Sequence, residues 1–383
     1  GNNSGEYNVA IGFDAGNDVT TGQDNVLIGK NAADSLTTGG NNVIIGKQAG
    51  DGFTANTTMT LIGSEAGTAI NSNNANGTVA VGYQSLVALT SGATNTALGT
   101  RSGDAATTAS GSVFLGNNAG GTVTTGNDNI AIGLNAINGG TTTGDNNIAI
   151  GTQAMDAVTS GHDNIGIGHE AHTRLTTGIH NIAMGFNAHA QNAVTGNYNV
   201  ALGFFALGDD AGGSNNVAIG YTAGRDQIGV SGSVFIGENA GHSVSTGQQN
   251  IAIGKDALNG GTTTGAGNIA IGVNTGDALT SGHSNVLVGL STGNDLTSGF
   301  HNVGLGSFAL DEASDVDYVV AIGFAAGSGV LTSDADSSVF IGNESGISMT
   351  SGQANVAVGY QTLKDEDDGD YNTAIGYQAL ADQ

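Results

Sequence analysis

Two histidines, His172 and His189, have a type and a spacing that could support chemistry. If 17 residues bring the chain back to the same place in a repeated fold, the two imidazole rings lie about 5 Å apart. Glu170 adds a carboxylate beside them. Imidazole and carboxylate groups are ligands of transition metals, so the pair predicts a metal site, with a row of solvated side chains as the alternative.

Five aromatic residues form a second candidate site. Phe186, Phe204 and Tyr221 follow one another at steps of 18 and 17 residues, and Tyr360 and Tyr377 are 17 residues apart. Lysine, serine and glutamate hold the equivalent position elsewhere, which predicts that this position is exposed. A stack of exposed rings could contact the flat faces of sugars in a glycan, or it could pack against a partner subunit.

The acidic loop from Asp365 to Asp368 is a third candidate, because carboxylate oxygens could hold Ca²⁺ there. Loose condensation of cations is the alternative. The glycine- and aspartate-rich pattern of calcium-binding β-rolls is absent. No Ser-His-Asp order, phosphate-binding glycine loop or paired-carboxylate pocket stands out. The sequence therefore predicts that the chain is not an enzyme. It predicts no cofactor, apart from Ca²⁺ that the acidic loops could hold.

The elements that position these residues come from a repeat. The phrase Asn-Val-Ala-Ile-Gly, with small variations, occurs 22 times at steps of 17, 18 or 19 residues. One copy runs from Asn129 to Gly133, and the small residue Ala136 after it predicts a tightly packed corner. A period this strict predicts one unit stacked on itself. We expect an all-β, parallel β-solenoid of about 22 coils of 17–19 residues. At about 4.8 Å per coil, it would be a rod on the order of 100 Å long.

Each position of the phrase has an expected role. Ile130 and Ile132 alternate with Ala131, so we expect the two isoleucines to fill the interior and the alanine to face outward. Gly133 is expected where φ is positive or where the next coil approaches closely. Asn129 is expected to hydrogen-bond along the stack and so to fix the register of the coils. A Leu/Val-Thr-Thr/Ser-Gly segment later in each unit predicts a second short strand.

Composition excludes some partners. The net charge is −26, with only seven Lys plus Arg, so phosphate backbones and anionic lipid surfaces would be repelled. No run of 18 or more apolar residues occurs, and no membrane insertion is expected. The chain has no cysteine and no proline. The lack of proline suits a chain that is paired strand after strand.

The repeat has no break, so residues 1–383 are expected to form a single continuous solenoid, excerpted from a longer chain. A larger repeat of seven coils, 121 residues long, relates a block near 112–232 to a block near 233–337. It is visible where Ser112-Val113-Phe114 is followed 121 residues later by Ser233-Val234-Phe235. Duplication of whole blocks is typical of a fibre whose length is set by its repeats.

Units such as Asn-Thr-Ala-Ile-Gly-Tyr-Gln-Ala-Leu at 372–380, joined by Thr-Thr-Gly or Thr-Ser-Gly, resemble the repeats of large tail-fibre-domain proteins of marine bacteria and phages. They are also similar to the head repeats of trimeric autotransporter adhesins, which share the Ala-Ile-Gly-x-x-Ala core. The resemblance implies a left-handed β-roll that forms a homo-oligomeric fibre, with a trimer as the best expectation. It implies an extracellular structural and adhesive segment, on a cell-surface appendage or a virion. Many weak contacts with a host or prey cell surface, including its glycans, would give such a fibre its avidity.

Two other functions remain open. The Ile-Gly-x-x-Ala core also fits one side of the hexapeptide left-handed β-helix of trimeric acyltransferases, although no inserted loop accompanies it here. Such enzymes also need a reactive histidine beside an acyl-carrier groove. Thr20-Thr21, Thr37-Thr38 and Thr142-Thr143 recur at the same place in their coils and could make a flat ice-binding face, although other coils interrupt the threonine columns.

Overall fold

The computed structural model describes residues 4–210 and 212–381 and contains, in these residues, 22 three-residue strands and two single-turn 3-10 helices. The chain divides into two compact units, Gly1–Thr195 and Gly196–Gln383, and each is described by itself. The helices are Asn73–Ala75 and Ser333–Ala335. Neither described helix could cross a membrane.

Each unit carries eleven of the strands. Those of the first unit are β1 Val9–Ile11, β2 Val26–Ile28, β3 Val43–Ile45, β4 Thr60–Ile62, β5 Val79–Val81, β6 Thr96–Leu98, β7 Val113–Leu115, β8 Ile130–Ile132, β9 Ile148–Ile150, β10 Ile165–Ile167 and β11 Ile182–Met184. Those of the second unit are β12 Val200–Leu202, β13 Val217–Ile219, β14 Val234–Ile236, β15 Ile251–Ile253, β16 Ile269–Ile271, β17 Val286–Val288, β18 Val303–Leu305, β19 Val320–Ile322, β20 Val339–Ile341, β21 Val356–Val358 and β22 Thr373–Ile375.

Within each unit, every strand pairs in parallel with the strand of the next coil. In the first unit, β8 and β9 pair with Ile130 opposite Ile148 and Ile132 opposite Ile150. The second unit repeats this register where Val217 of β13 faces Val234 of β14. Equivalent residues of successive coils therefore form columns. The predicted parallel β-solenoid of about 22 coils is confirmed.

The glycine that closes the phrase has both properties expected of it. Gly133 has a φ of +128°, which side-chain-bearing residues rarely adopt. A Cβ atom added to Gly133 would lie 2.6 Å from the carbonyl oxygen of Gly151 in the next coil. Any side chain here would therefore push two coils apart.

Buried asparagines join the coils in a ladder. The backbone N–H and the Nδ2 group of Asn147 both donate to Oδ1 of Asn129, at 2.9 and 3.1 Å. The same Nδ2 group also donates to the carbonyl of Gly161, in the segment that leads into the next coil. Asn164 repeats the arrangement on Asn147. The predicted asparagine column is confirmed, and its amides are satisfied in the interior.

The expected orientation of the strand residues is wrong. Ala131 is completely buried, whereas Ile130 and Ile132 are half-buried and lie on the opposite, outer face. The same pattern holds in all the described strands after β1. Phe114, which replaces the central alanine in β7, is fully buried rather than exposed. The strand alternates as expected, but the smaller residue faces inward because the interior of a coil is narrow.

Side-chain volume in that narrow interior is shared between the strand centre and a corner residue four positions after the repeat glycine. Ala80 in a strand centre accompanies Leu86 at its corner, and both are buried. Phe114 instead faces glycine corners in its own coil and in the preceding coil, at Gly120 and Gly103. A Cβ atom on Gly103 would lie 2.6 Å from the Phe114 ring. A large strand residue therefore requires a small corner.

The Thr-rich segment after the corner forms no second strand in the described chain. Isolated bridges join Val123 to Thr142, and Leu175 to Val194, in the first unit. The hydroxyl of Thr37 donates to the carbonyl of Thr54 at 2.9 Å, one coil further on. The backbone N–H of Thr37 donates to the same carbonyl at 2.7 Å. Such bonds join successive coils but form only isolated bridges rather than a continuous ladder, so the expected second strand is wrong.

We expect Phe114→Ala to destabilise the first unit by about 3–5 kcal/mol, because it leaves a cavity that the stacked coils cannot close. Adding Gly120→Leu should recover much of this loss, since the pair then matches Ala80 and Leu86. The corner itself accepts leucine, because Leu86 has a φ of +51°. Amide hydrogen exchange of residues 113–115 measures the free energy of local opening.

Gly120→Leu alone is the control, and it should destabilise because it overpacks against the intact phenylalanine. A double variant no more stable than Phe114→Ala would contradict the shared-volume explanation.

Candidate functional site

The aromatic column consists of the residues directly after the repeat glycines. In the first unit Phe186 stacks on His169, with ring centroids 5.2 Å apart and planes 4° from parallel. In the second unit Phe204 stacks on Tyr221 at 5.1 Å and 4°. Tyr360 and Tyr377 stack at 5.2 Å and 12°. The side chains of all five predicted aromatic residues are exposed, and Tyr377 is 74% exposed.

Parallel stacking follows from the coil spacing. In-register backbone bonds hold equivalent residues about 4.8 Å apart, which is close to the separation at which offset rings stack. His169 also belongs to this column and was not among the residues predicted for it. Its position directly after the repeat glycine Gly168 would have predicted its place in the column.

A second group of rings, missed from the sequence, lies in the turn before the strands of the second unit. His283 stacks on Phe300 at 5.1 Å, and His301 stacks on Tyr318 at 5.4 Å. Phe300 also meets His301 and Tyr318 edge-on. Two neighbouring columns, five and six residues before the repeat glycine, therefore combine into one surface cluster of four rings.

The predicted histidine pair lies in the interior rather than on the surface. The rings of His172 and His189 are 5.1 Å apart, in agreement with the expected spacing, and both side chains are buried. They hold the corner position that Met155 and Leu207 hold in other coils. The alternative of a solvated row is wrong, and the predicted metal site stays a prediction.

His172 is held in its neutral form. Neither of its ring nitrogens makes a hydrogen bond of ordinary geometry in the described chain. Burial lowers the pKa of His172 well below its usual 6.5, and the charge of His189 lowers it further. Backbone groups of His189 and Asn181 offset part of this shift. Protonation of this buried imidazole is therefore unfavourable, and the neutral ring packs as a core side chain.

A third histidine group lies at the surface of the first unit. Nδ1 of His162 is 2.7 Å from Oδ2 of Asp163, and Nδ1 of His180 in the next coil is 4.0 Å from the same oxygen. The two rings are 5.8 Å apart and nearly perpendicular. The hydrogen bond from His162 is the main cause that lowers the pKa of Asp163.

The acidic loop is partly assembled. Carboxylate oxygens of Glu366, Asp367 and Asp368 lie within 4.8 Å of one another, and two of the three residues are exposed. The predicted Ca²⁺ at this loop stays a prediction, since exposed acidic groups also cluster without an ion.

Other acidic side chains influence one another across adjacent coils. Burial raises the pKa of Asp34, and the neighbouring carboxylates of Asp51 and Asp14 raise it further. Asp277 shows the same pattern, with burial as the first cause and Asp256 as the second. Like charges one coil apart repel, so these acidic groups favour loosely held cations around the turns.

Two features bear on the alternative functions. The hydroxyls of Thr20 and Thr37 donate to carbonyls of the next coil at 3.0 and 2.9 Å, so they are engaged along the stack rather than directed at an ice surface. Each described coil carries one strand, whereas a three-sided acyltransferase helix would place its coil in three sheets.

No family model and no curated protein matches this chain. The resemblance of its repeat to tail-fibre and adhesin repeats therefore stays a prediction.

We expect acid to destabilise the first unit through His172. The pKa of this group is lower in the folded than in the unfolded state, so its full stability is present above about pH 6.5 and falls as the pH drops. In that range the unfolded state binds one more proton, and the free energy of unfolding falls by about 1.4 kcal/mol per pH unit. Urea unfolding of wild type and His172→Leu at pH 7.5, 6.5 and 5.5 measures the difference.

Leucine holds the same corner in other coils, as Leu207 and Leu258 do, so His172→Leu should fold and should lose this part of the pH dependence. Met155→Leu is the matched control, because it changes a neighbouring corner without removing a titratable group. Equal pH slopes for wild type and His172→Leu would contradict the expectation.

Proposed function

We propose that this chain is a structural and adhesive segment of an extracellular fibre, on a bacterial surface appendage or a virion. Copies of the chain associate along their strand faces, with a trimer as the preferred assembly. The fibre then binds a host or prey cell surface through many weak contacts. The resemblance of the repeat and the outward apolar face of the sheets support this proposal.

The outward face of the strands is the observation that carries the self-association. The first and third residues of the described strands are valine, isoleucine, leucine, methionine or threonine, and none is charged. They remain half-buried or exposed, as Ile148 and Ile150 illustrate. Monomeric proteins rarely expose continuous apolar faces larger than a few hundred Å². A face of this kind is expected to be covered.

Other copies of this chain are the partner that fits the face. Eleven three-residue strands spaced about 4.8 Å apart present about 500 Å² in each unit. A specific interface of standard size takes about 800 Å² from each partner, so the face of either unit supplies more than half of that area by itself. With a net charge of −26, copies repel one another except where the surface is uncharged. Only another solenoid with the same coil spacing can interdigitate its side chains with those of this face in every coil.

The aromatic column supports the adhesive part. The stacked pairs Phe204–Tyr221 and Tyr360–Tyr377 present exposed ring surfaces at intervals set by the coils. Aromatic rings contact the apolar faces of sugars, so glycans are the proposed ligands. Each contact is weak, and repetition along a stiff fibre supplies avidity without a deep pocket.

We expect wild-type protein to sediment as an oligomer at micromolar concentration and Ile132→Glu/Ile150→Glu to sediment as a smaller species. Each substitution would bury a carboxylate in the contact between copies, which is strongly unfavourable. Sedimentation velocity with a concentration series measures the change.

Thr125→Glu/Thr143→Glu is the control, because both threonines are exposed and lie outside the strands of the same coils. It adds the same charge and should leave the oligomer intact. A monomeric wild type, or equal dissociation of both variants, would contradict association through the strand face.

Phe204→Ala/Tyr221→Ala should weaken binding to a glycan array and to intact bacterial cells by about tenfold, because each ring contributes about 0.5–1.5 kcal/mol. Val273→Ala/Leu290→Ala truncates two exposed aliphatic residues of the same column and is the matched control. If both variants bind as wild type does, the aromatic column has no adhesive role.

A further inference from the structure

The histidine group at the surface of the first unit combines three metal-ligand side chains from two adjacent coils. His162 and Asp163 are neighbours in one turn, and His180 comes from the next coil. The backbone N–H of His180 donates to the carbonyl of His162 at 3.3 Å, so the stacking of the coils fixes the positions of the two histidines. The carboxylate of Asp163 lies near both rings, at 2.7 Å from His162 and 4.0 Å from His180.

All three side chains are accessible and can adjust. Their exposed fractions are 44% for His162, 37% for Asp163 and 43% for His180. Zn²⁺ lies about 2.0–2.2 Å from nitrogen and oxygen ligands, which places those ligand atoms about 3–3.5 Å from one another. Asp163 and His162 lie slightly closer than this, at 2.7 Å, and His180 lies 4.0 Å from the same carboxylate oxygen. Binding of one ion also requires the exposed His162 and His180 side chains to rotate toward each other, because their ring centroids are 5.8 Å apart.

The surroundings of the group favour a cation. Asp145 occupies the position of His162 one coil earlier, and its carbonyl accepts a hydrogen bond from the N–H of Asp163 at 3.1 Å. This bond holds the backbone of Asp163 in place over the preceding turn.

The second unit contains a near copy of the group that lacks the carboxylate. His283, Ser284 and His301 lie 121 residues after His162, Asp163 and His180. The two imidazoles of this copy are 5.5 Å apart at 88°, almost the geometry of the first group. The hydroxyl of Ser284 lies 3.4 Å from Nδ1 of His283, where Asp163 would be.

The residue one coil before His283 is Ala266 rather than an aspartate. The chain thus holds the same pair of histidines twice, once with acidic neighbours and once without them.

We propose that His162, Asp163 and His180 form a binding site for a divalent transition metal such as Zn²⁺, with water in the remaining coordination position. Two imidazoles and one carboxylate are a common ligand set for this class of metal. The site is separate from the buried pair His172 and His189 and does not depend on the proposed fibre function.

Calorimetric titration of the full chain with Zn²⁺ at pH 7.5 tests the proposal. Wild type should bind one ion at this site, and Asp163→Ser should weaken that event by at least about tenfold. Ser284→Asp should add a second binding event of similar affinity. Each exchange copies the residue that the other block already has, so both variants should fold, and Ser284→Asp remains a test even if Asp163→Ser does not.

Protection of His162 and His180 from diethylpyrocarbonate by Zn²⁺, read by mass spectrometry, locates the ion. Wild type without Zn²⁺ binding would overturn the proposal. Binding that Asp163→Ser leaves unchanged would assign the ion elsewhere, for example to Glu366–Asp368, and would also overturn it. Failure of Ser284→Asp to add a binding event would show that two histidines and a carboxylate in this geometry do not make a site, which is a third contrary result.

Discussion

The side chains at the strand centre and at the corner share a narrow space inside each coil, and much of the structure follows from that constraint. Glycine closes every phrase because a Cβ atom at Gly133 would meet the carbonyl of Gly151. Asparagine precedes the strand because the buried Asn147 donates its backbone N–H and its Nδ2 group to Oδ1 of the buried Asn129. The larger aliphatic residues are left on the outside, where they create the apolar face on which the proposed self-association depends.

Stacking in register also decides how chemistry can arise in this fold. A side chain on the surface of a coil contacts the side chain at the same position of an adjacent coil, or one in the neighbouring column. Rings of Phe204 and Tyr221 therefore stack, carboxylates such as Asp34 and Asp51 repel, and His162 meets His180. A site in such a chain is a short segment of one or two columns on the surface, in which equivalent residues are about 5 Å apart. An open site of this kind suits the face of a sugar, or an ion whose ligand side chains turn toward one another, better than a substrate that needs an enclosed pocket.

The sequence predicted the coil length, the parallel register, the glycine, the asparagine ladder and the stacked aromatic pairs, because a strict period reports directly on what repeats. It did not predict which strand face is inside. Alternation alone distinguishes two faces without orienting them, and Ile130 and Ile132 are residues more typical of a core than Ala131. The buried positions of His172 and His189 could have been inferred, since other coils have leucine or methionine at the same corner. The pairing of Phe114 with glycine corners was visible in the sequence, but only the structure shows that these residues touch.

The duplicated seven-coil blocks show that the interior constraint persists while the side chains change. Met155, Gly166 and His172 in the first block correspond to Gly276, Leu287 and Gly293 in the second. The strand centre gains a leucine where both of its corners lose their side chains, so the volume moves from the corners to the strand and the coil keeps its shape. A Cβ atom on Gly166 would lie 2.8 Å from Met155, and one on Gly293 would lie 3.0 Å from Leu287. A larger residue at the strand centre is therefore compatible only with smaller corner residues, and a larger corner residue only with a smaller strand centre. Surface columns are under no such coupling. Asp163 and Ser284 can differ freely, and for that reason the two blocks can share one architecture and still present different chemistry.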